Sequence, residues 1–222
     1  MTHFRHALTA VLLVGLLAAA PASAQVCAGR PGADVGNVLL GAGYSSANGT
    51  SGFDVGITGL GERAFGAATI GSISYDDFSG STTMVGGSLG YQLSVGTSGR
   101  AQLCPTFSGA LGFGPNDIEG TGVDASTRSV GAGVTWGFRA TESADFALIP
   151  TIGAGVAYAS VKLTDGVDEL TESDSYGLID VGLGIVLGRQ FAATPFITIP
   201  VGLEGADPTI GLTISLSIGK RR

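Results

Sequence analysis

Few side chains in this sequence could do acid–base or nucleophilic chemistry. Both histidines, His3 and His6, lie in the first 24 residues, which have the character of a cleavable export signal. Once that segment is removed, mechanisms that use histidine as a base or proton carrier are excluded. Asp54 and Asp180 remain as a candidate carboxylate pair, but solvated acids facing an interior are the simpler interpretation. The sequence therefore predicts no enzyme, no catalytic residue, no cofactor and no metal site.

The two cysteines, Cys27 and Cys104, are the other reactive side chains. In the oxidising compartment reached after export, a cysteine pair favours a disulfide over metal binding or nucleophilic chemistry. Residues 27–36 are long enough, at about 3.3 Å per extended residue, to cross the mouth of a small barrel. We hypothesise that the disulfide holds this segment across the periplasmic opening as a partial plug; a rim disulfide without a gating role is the alternative. Lipid attachment to Cys27 is disfavoured because Val26 occupies a position that requires a small residue.

The export signal defines the predicted domain organisation. Residues 1–24 contain a basic residue, a long apolar run and small residues before the cleavage site. Cleavage after Ala24 leaves a periplasmic lead of residues 25–36 and an outer-membrane β-barrel domain of residues 37–222. The signal contains one charged residue, so the net charge of −7 becomes −8 on cleavage.

The stretch from Thr209 to Ile218 indicates which kind of secondary structure positions the cysteines and carboxylates. It alternates branched apolar residues with Thr, Gly or Ser, which predicts a membrane-spanning strand with one apolar face. Similar segments recur, and the mature chain has no run of 18 apolar residues that could form a transmembrane helix. Because only helices and closed barrels satisfy all backbone groups in lipid, we predict an all-β, closed, antiparallel up-and-down transmembrane β-barrel. A secreted β-sandwich or β-solenoid is the alternative.

Ten alternating segments are predicted, with eight as the alternative if a hairpin is merged or lost. An even number places both chain ends on the periplasmic side, with short turns there and longer loops outside. Residues 114–128 and 164–175 are the two long predicted loops. Outward aromatic residues are predicted to form two interface belts. The upper belt comprises Tyr44, Phe53, Tyr75, Phe113 and Tyr158, and the lower belt comprises Phe65, Trp136, Phe138 and Phe146.

Acidic residues are concentrated in the predicted outer loops. The densest group, in the 164–175 loop, comprises Asp165, Asp168, Glu169, Glu172 and Asp174. Carboxylates beside anionic head groups would attract divalent cations such as Mg²⁺ or Ca²⁺, although solvated, soluble loops are the simpler interpretation. The acidic balance and the absence of a basic patch exclude a nucleic-acid partner.

Three charged residues, Asp54, Arg139 and Asp180, are predicted to face the lumen. Most other inward positions carry Gly, Ala, Ser or Thr. Such small side chains leave a narrow watery lumen, or else the barrel is narrow enough for residues such as Leu39 and Gln102 to close it, depending on strand number and shear. Both outcomes remain open at this point.

The alternating strands, aromatic belts and export signal resemble the small outer-membrane β-barrel proteins of the opacity-antigen and OmpA-barrel type. The resemblance covers residues 27–218 and rests on pattern, without a specific motif. It implies an eight- or ten-stranded monomeric barrel in the cell outer membrane, in contact with outer-membrane lipids and lipopolysaccharide. Members of this type serve several functions. A structural or surface-interaction protein with acidic extracellular loops, such as a surface antigen, is expected, and a narrow porin-like channel for small solutes or cations is the alternative.

Overall fold

The computed structural model describes Cys27 and residues 38–61, 63–76, 80–95, 100–115, 123–143, 146–165, 167–188 and 190–218. The predicted signal and most of the predicted lead lie outside these described residues. The fold consists of ten antiparallel strands, each hydrogen-bonded to the next in sequence. The strands are β1 Val38–Ala47, β2 Thr50–Leu60, β3 Ala64–Tyr75, β4 Ser81–Tyr91 continued by Leu93–Val95, β5 Ala101–Phe113, β6 Asp124–Phe138 continued by Thr141–Glu142, β7 Phe146–Thr164, β8 Glu169–Leu187, β9 Phe191–Val201 and β10 Thr209–Ile218.

Pairing of the last strand with the first closes the sheet into a barrel. β10 and β1 are in continuous register from Val38 opposite Ile218 to Ser46 opposite Ile210. The predicted closed barrel of ten strands is confirmed, and the eight-stranded alternative is wrong. The connections β1–β2, β3–β4, β5–β6, β7–β8 and β9–β10 share one end, which we name the hairpin end. Val38 and Ile218 lie at the other, the terminal end. Among the described residues, no helix is long and apolar enough to span a membrane.

The strand register determines the tilt of the strands. We follow paired residues from strand to strand, starting at Ile185 of β8. The line passes once through each of the other nine strands and returns to β8 at Ser173, twelve residues away. With strands about 4.8 Å apart and about 3.3 Å per residue, this offset corresponds to a tilt of about 40°. Each strand along the line therefore lies about 3 Å nearer the hairpin end than its predecessor.

Alternation places apolar side chains on the outside of the barrel, as the sequence predicted for β10. Leu89 and Val156 are each 66% exposed, and Ile210 is 61% exposed. The same outward face carries the aromatic residues Tyr44 and Phe53, which are more than half exposed. A soluble protein would bury such a surface, so the outside of this barrel requires an apolar environment.

Strand β3 has the opposite orientation to the one predicted. Phe65 and Tyr75 are buried in the lumen, and Ile70 is exposed on the outside. Their assignment to the interface belts was therefore wrong. Apolar residues occupy both faces of β3, so hydrophobicity alone does not identify its outward face. The register does, because Phe65 pairs with the inward-facing Leu60.

Both long predicted loops are shorter than expected. β6 begins at Asp124, within the predicted 114–128 loop, and β8 begins at Glu169, so residues 165–168 alone connect β7 to β8. The prediction failed because these strand ends are polar on both faces and lack the apolar alternation. In contrast, the predicted reversal at Asn48-Gly49 is present, and Gly49 has the positive φ of 75° that such a turn requires.

Two aromatic rings inside the lumen lie against glycines of the neighbouring strand. The ring of Phe65 covers Gly90, and the ring of Phe196 covers Gly211, in each case its register partner. A Cβ at either glycine would overlap the ring. Glycine at these positions therefore allows large inward side chains to fold flat against the barrel wall.

Gly90→Ala is expected to destabilise the barrel by about 1–3 kcal/mol, because the added methyl would displace the buried Phe65 ring. Gly59→Ala is the matched control, since a Cβ there meets nothing within 4 Å. Urea unfolding of the two variants in the same detergent measures the difference. Equal stability of both variants would show that the Phe65–Gly90 contact does not constrain the lumen.

Candidate functional site

Apolar side chains form a buried cluster on the inner face near the hairpin end, and we name this cluster the hairpin-end layer. Its buried members are Ile73, Tyr75, Met84, Ala110, Ala125, Ala157, Ala159, Val161, Leu163 and Tyr176, and Val123, Leu178, Phe196 and Leu203 pack against them. These residues come from every strand from β3 to β9, so the layer covers the inner face of seven of the ten strands. Met84 is only 1% exposed. The inner face at this end therefore carries buried apolar side chains in addition to the small residues predicted from the sequence.

Hydrogen bonds hold Tyr75, one of the two tyrosines of this layer, in place. The Thr82 hydroxyl donates to the carbonyl oxygen of Gly114 at 2.7 Å. That bond uses the single hydroxyl proton of Thr82, so the hydroxyl of Tyr75 donates to Thr82 Oγ1 across 2.8 Å. Tyr75 is thereby fixed inside the lumen with its polar atom satisfied.

A second group of buried residues, which we name the terminal-end layer, lies on the inner face toward the opposite end. It comprises Cys27, Leu39, Leu60, Phe65 and Cys104. The structure contains the predicted disulfide, with the Cα atoms of Cys27 and Cys104 6.2 Å apart, and Cys104 is fully buried. Cys27 is therefore buried together with side chains from β1, β2, β3 and β5.

Asp54 and Asp180 both face the lumen, but the structure does not bring them together as strand neighbours. Asp54 lies between Gly43 and Gly71, and its Oδ1 atom approaches to 2.5 Å of the position that a Cβ on Gly43 would take. Asp180 accepts a hydrogen bond of 2.6 Å from the Thr198 hydroxyl. Each carboxylate is therefore accommodated separately, by small neighbours or by a hydroxyl donor.

The third predicted lumen charge, Arg139, lies at the terminal-end rim, directly after β6 is interrupted. Its backbone N–H donates to the carbonyl oxygen of Arg100 at 2.9 Å, and the residue is half-buried. Among the described residues, no group of three or more His, Cys, Asp or Glu side chains is arranged to hold a metal ion.

The predicted acidic loop is part of a three-stranded extension of the barrel wall. β6, β7 and β8 continue together to the row in which Asp124, Thr164 and Glu169 pair. Pairing between β8 and β9 starts only at Gly177, opposite Val201. The β8 segment from Glu169 to Tyr176 therefore has one strand edge without a partner among the described residues.

The acidic residues predicted for the loop are distributed over this extension. Asp165 and Asp168 lie in the β7–β8 turn, whereas Glu169, Glu172 and Asp174 lie on β8, and all five are exposed. The Nζ atom of Lys162 lies 2.6 Å from a carboxylate oxygen of Glu169, and both side chains are about half exposed. Such an exposed pair contributes little to stability. The extension is therefore an acidic strand surface and not a flexible loop.

Two features of this site escaped the sequence analysis. The inward apolar residues of the hairpin-end layer have the same types as lipid-facing ones, so only the phase of each strand could have identified them. The β6 and β8 parts of the extension have polar residues on both faces, which removes the periodic signal, although the β-branched residues Val161, Thr164 and Thr171 favour strand.

Comparison with solved structures finds barrels at low sequence identity. The N-terminal β-barrel domain of OprF from Pseudomonas aeruginosa is 14% identical, with 83% of this chain and 98% of that chain covered and a TM-score of 0.41. Ail, the attachment invasion locus protein of Yersinia pestis, is 13% identical, with 83% and 99% covered and a TM-score of 0.41. The outer membrane enzyme PagL is 13% identical, with 82% and 99% covered and a TM-score of 0.37. No family model matches the chain, and no curated protein sequence matches it.

The β7–β8 turn is stabilised by a side-chain acceptor whose strength depends on pH. Asp165 Oδ1 accepts backbone hydrogen bonds from Asp168 at 2.7 Å and Val167 at 2.9 Å. These bonds hold the pKa of Asp165 below its ordinary value. A lowered pKa in the folded state means that the stabilisation is present above the ordinary pKa and is lost as the pH falls through the lowered one.

We therefore expect the amide resonances of Val167 and Asp168 to shift together in NMR spectra as the pH is lowered through the pKa of Asp165. Asp165→Asn is the control, because its side-chain oxygen still accepts the bonds but does not titrate in this range. Unchanged amide resonances in the native protein, or identical titration in the variant, would contradict this interpretation.

Proposed function

We propose that this chain is a non-enzymatic outer-membrane barrel with a closed lumen, which presents the acidic β6–β8 extension at the cell surface. The observation that carries the proposal is the presence of two separate layers of buried side chains inside the barrel, while the exposed acidic residues lie on the β6–β8 extension. A barrel built in this way serves as a membrane anchor for an interaction surface. Such a role requires no lumenal chemistry.

The outward surface supports a location in a lipid bilayer. Exposed apolar side chains surround the barrel, and Trp136, Phe146 and Phe191 lie on this surface near the terminal end. Tyr158 lies near the hairpin end, eight strand steps along the register from Phe191, which corresponds to about 24 Å along the barrel axis. The expected apolar band of an outer-membrane barrel is about 25 Å tall.

The connection lengths support an orientation with the hairpin end outside. The long hairpin of β7 and β8 lies at this end, whereas β8 and β9 are joined at the terminal end by residues 188–190 alone. Short periplasmic turns and longer outer segments are the rule in outer-membrane barrels. In this orientation the acidic surface faces the exterior, where it favours basic partners or bridging divalent cations.

The alternative function, a narrow channel for small solutes or cations, has one feature in its favour. Asp54 and Asp180 both face the lumen and would attract cations. However, a permeating ion would have to pass both the hairpin-end layer and the terminal-end layer, and the disulfide restrains the second of these. We therefore assign the lumen a structural role.

Planar-bilayer recording of the refolded mature chain tests the closed lumen. We expect no discrete conductance steps, because both layers block the lumen. Reduction of the disulfide should leave the protein silent, since the hairpin-end layer does not depend on Cys27 or Cys104. A heat-dependent shift in electrophoretic mobility serves as the control for folded protein. Discrete cation-selective steps from oxidised protein would contradict the proposal and favour the channel.

Epitope insertion tests location and orientation independently of conductance. A tag in the β7–β8 turn at residues 165–168 should be detected by antibody on intact cells. The same tag in the β2–β3 turn at residues 61–63 should be detected only after the outer membrane is permeabilised. Detection in the reverse pattern would overturn the orientation, and recovery of the protein in the soluble fraction would overturn the membrane location.

A further inference from the structure

The outward face of the extension carries two cations side by side, in an otherwise acidic region. Arg128 and Lys162 are the basic residues at the hairpin end among those that the structure describes. Arg128 pairs with Ser160, and Lys162 occupies the next outward position of β7, opposite Ser126. Both side chains therefore project from the same outer face, on adjacent strands and in successive rows.

Hydroxyl groups surround these two cations on the same face. Ser160 and Ser173 continue the row of Arg128, and Ser126 and Thr171 flank Lys162. Lys162 is held by Glu169, but no hydrogen bond or ion pair is found for the Arg128 guanidinium within the described part of the chain. An exposed guanidinium beside a lysine and several hydroxyls has the donor set that recognises phosphate.

The position of Arg128 and Lys162 along the barrel axis places them at the hairpin-end boundary of the apolar outer surface. The row below them contains Val130 and Tyr158, which are exposed on the outer face, and Arg128 is also flanked by the exposed Leu111 of β5. Arg128 lies eight strand steps along the register from Ile185, about 24 Å nearer the hairpin end. Its guanidinium is thus at the level where lipid head groups begin.

We propose that Arg128 and Lys162, with the hydroxyls of Ser126, Thr171 and Ser173, form a site for a phosphate-bearing head group of an outer-leaflet lipid. The inference rests on the proposed membrane location. The cations bind the phosphate, the hydroxyls supply additional donors, and Val130, Tyr158 and Leu111 contact the acyl chains below. A free phosphate ion would use the donors but gain nothing from these apolar neighbours.

The ion pair between Lys162 and Glu169 opposes the binding of a phosphate at this site. Glu169 neutralises Lys162 in the absence of a lipid, so a phosphate must compete with this carboxylate for the ammonium group. Replacing Glu169 by glutamine should therefore strengthen lipid binding, in contrast to the loss expected when either cation is replaced. If replacing Glu169 strengthens lipid binding and replacing the neighbouring cations weakens it, the site is distinguished from a general attraction between the barrel and lipid.

The test measures binding of lipid A and of dephosphorylated lipid A to the refolded mature chain in non-ionic detergent, by native mass spectrometry. Arg128→Gln combined with Lys162→Gln should weaken binding of phosphorylated lipid at least about tenfold, through loss of charge-assisted hydrogen bonds. Glu169→Gln should strengthen it about threefold. The dephosphorylated lipid should bind weakly to all variants, and inorganic phosphate at equal concentration should not displace the lipid.

Two matched controls separate the site from overall charge. Arg100→Gln removes an exposed cation at the terminal end, and Asp207→Asn removes an exposed acid in the β9–β10 connection. Neither should change the affinity by more than about twofold, because both are outside the site. Equal binding by the double variant and the native protein, equal binding of both lipid forms, or displacement by equimolar inorganic phosphate would each overturn the proposal.

Binding in detergent does not depend on where the protein resides in the cell. If the barrel binds phosphorylated lipid but fails the epitope-insertion test, the proposed site is supported and the proposed location is contradicted. If the barrel passes the epitope-insertion test but the double variant has no effect on binding, the location is supported and the site is contradicted.

Discussion

Hydrogen bonding between β10 and β1 is the constraint on which the rest of the structure depends. An open ten-stranded sheet would have two long edges with unpaired backbone groups, which cannot be tolerated in lipid. Closure removes both edges and lets every strand turn one apolar face outward. The same closure creates an interior that must be filled or hydrated. The contents of that interior therefore decide between an anchor and a channel.

A few large side chains in the interior lie against very small ones. Phe65 and Phe196 fit because Gly90 and Gly211 leave room beside them, and Asp54 fits beside Gly43 for the same reason. Glycine along the strands thus has a packing role in this barrel as well as a conformational one. The disulfide adds Cys27 to the interior, so part of the segment before β1 contributes to the core.

The sequence predicted the architecture well because lipid imposes a periodic signal. Alternating residues identified the ten strands, and an even strand number indicated that both chain ends share one side. The signal failed where lipid does not act. Phe65 and Tyr75 were assigned outward because lumenal and lipid-facing apolar residues have the same types, and Glu169–Ser175 was assigned to a loop because a polar strand outside lipid has no apolar face. Arg128 and Lys162 became a candidate site only when the register placed them on adjacent strands.

The fluorescence of Trp136 provides the most direct test of the central claim, that the outward face of this closed barrel contacts lipid. The chain contains one tryptophan, and the structure places it on the outer surface, stacked on Phe138 with 6.1 Å between ring centroids. In liposomes that contain lipids brominated on the acyl chains, we predict strong quenching of its emission. Unquenched emission at the wavelength of a water-exposed tryptophan would contradict the account.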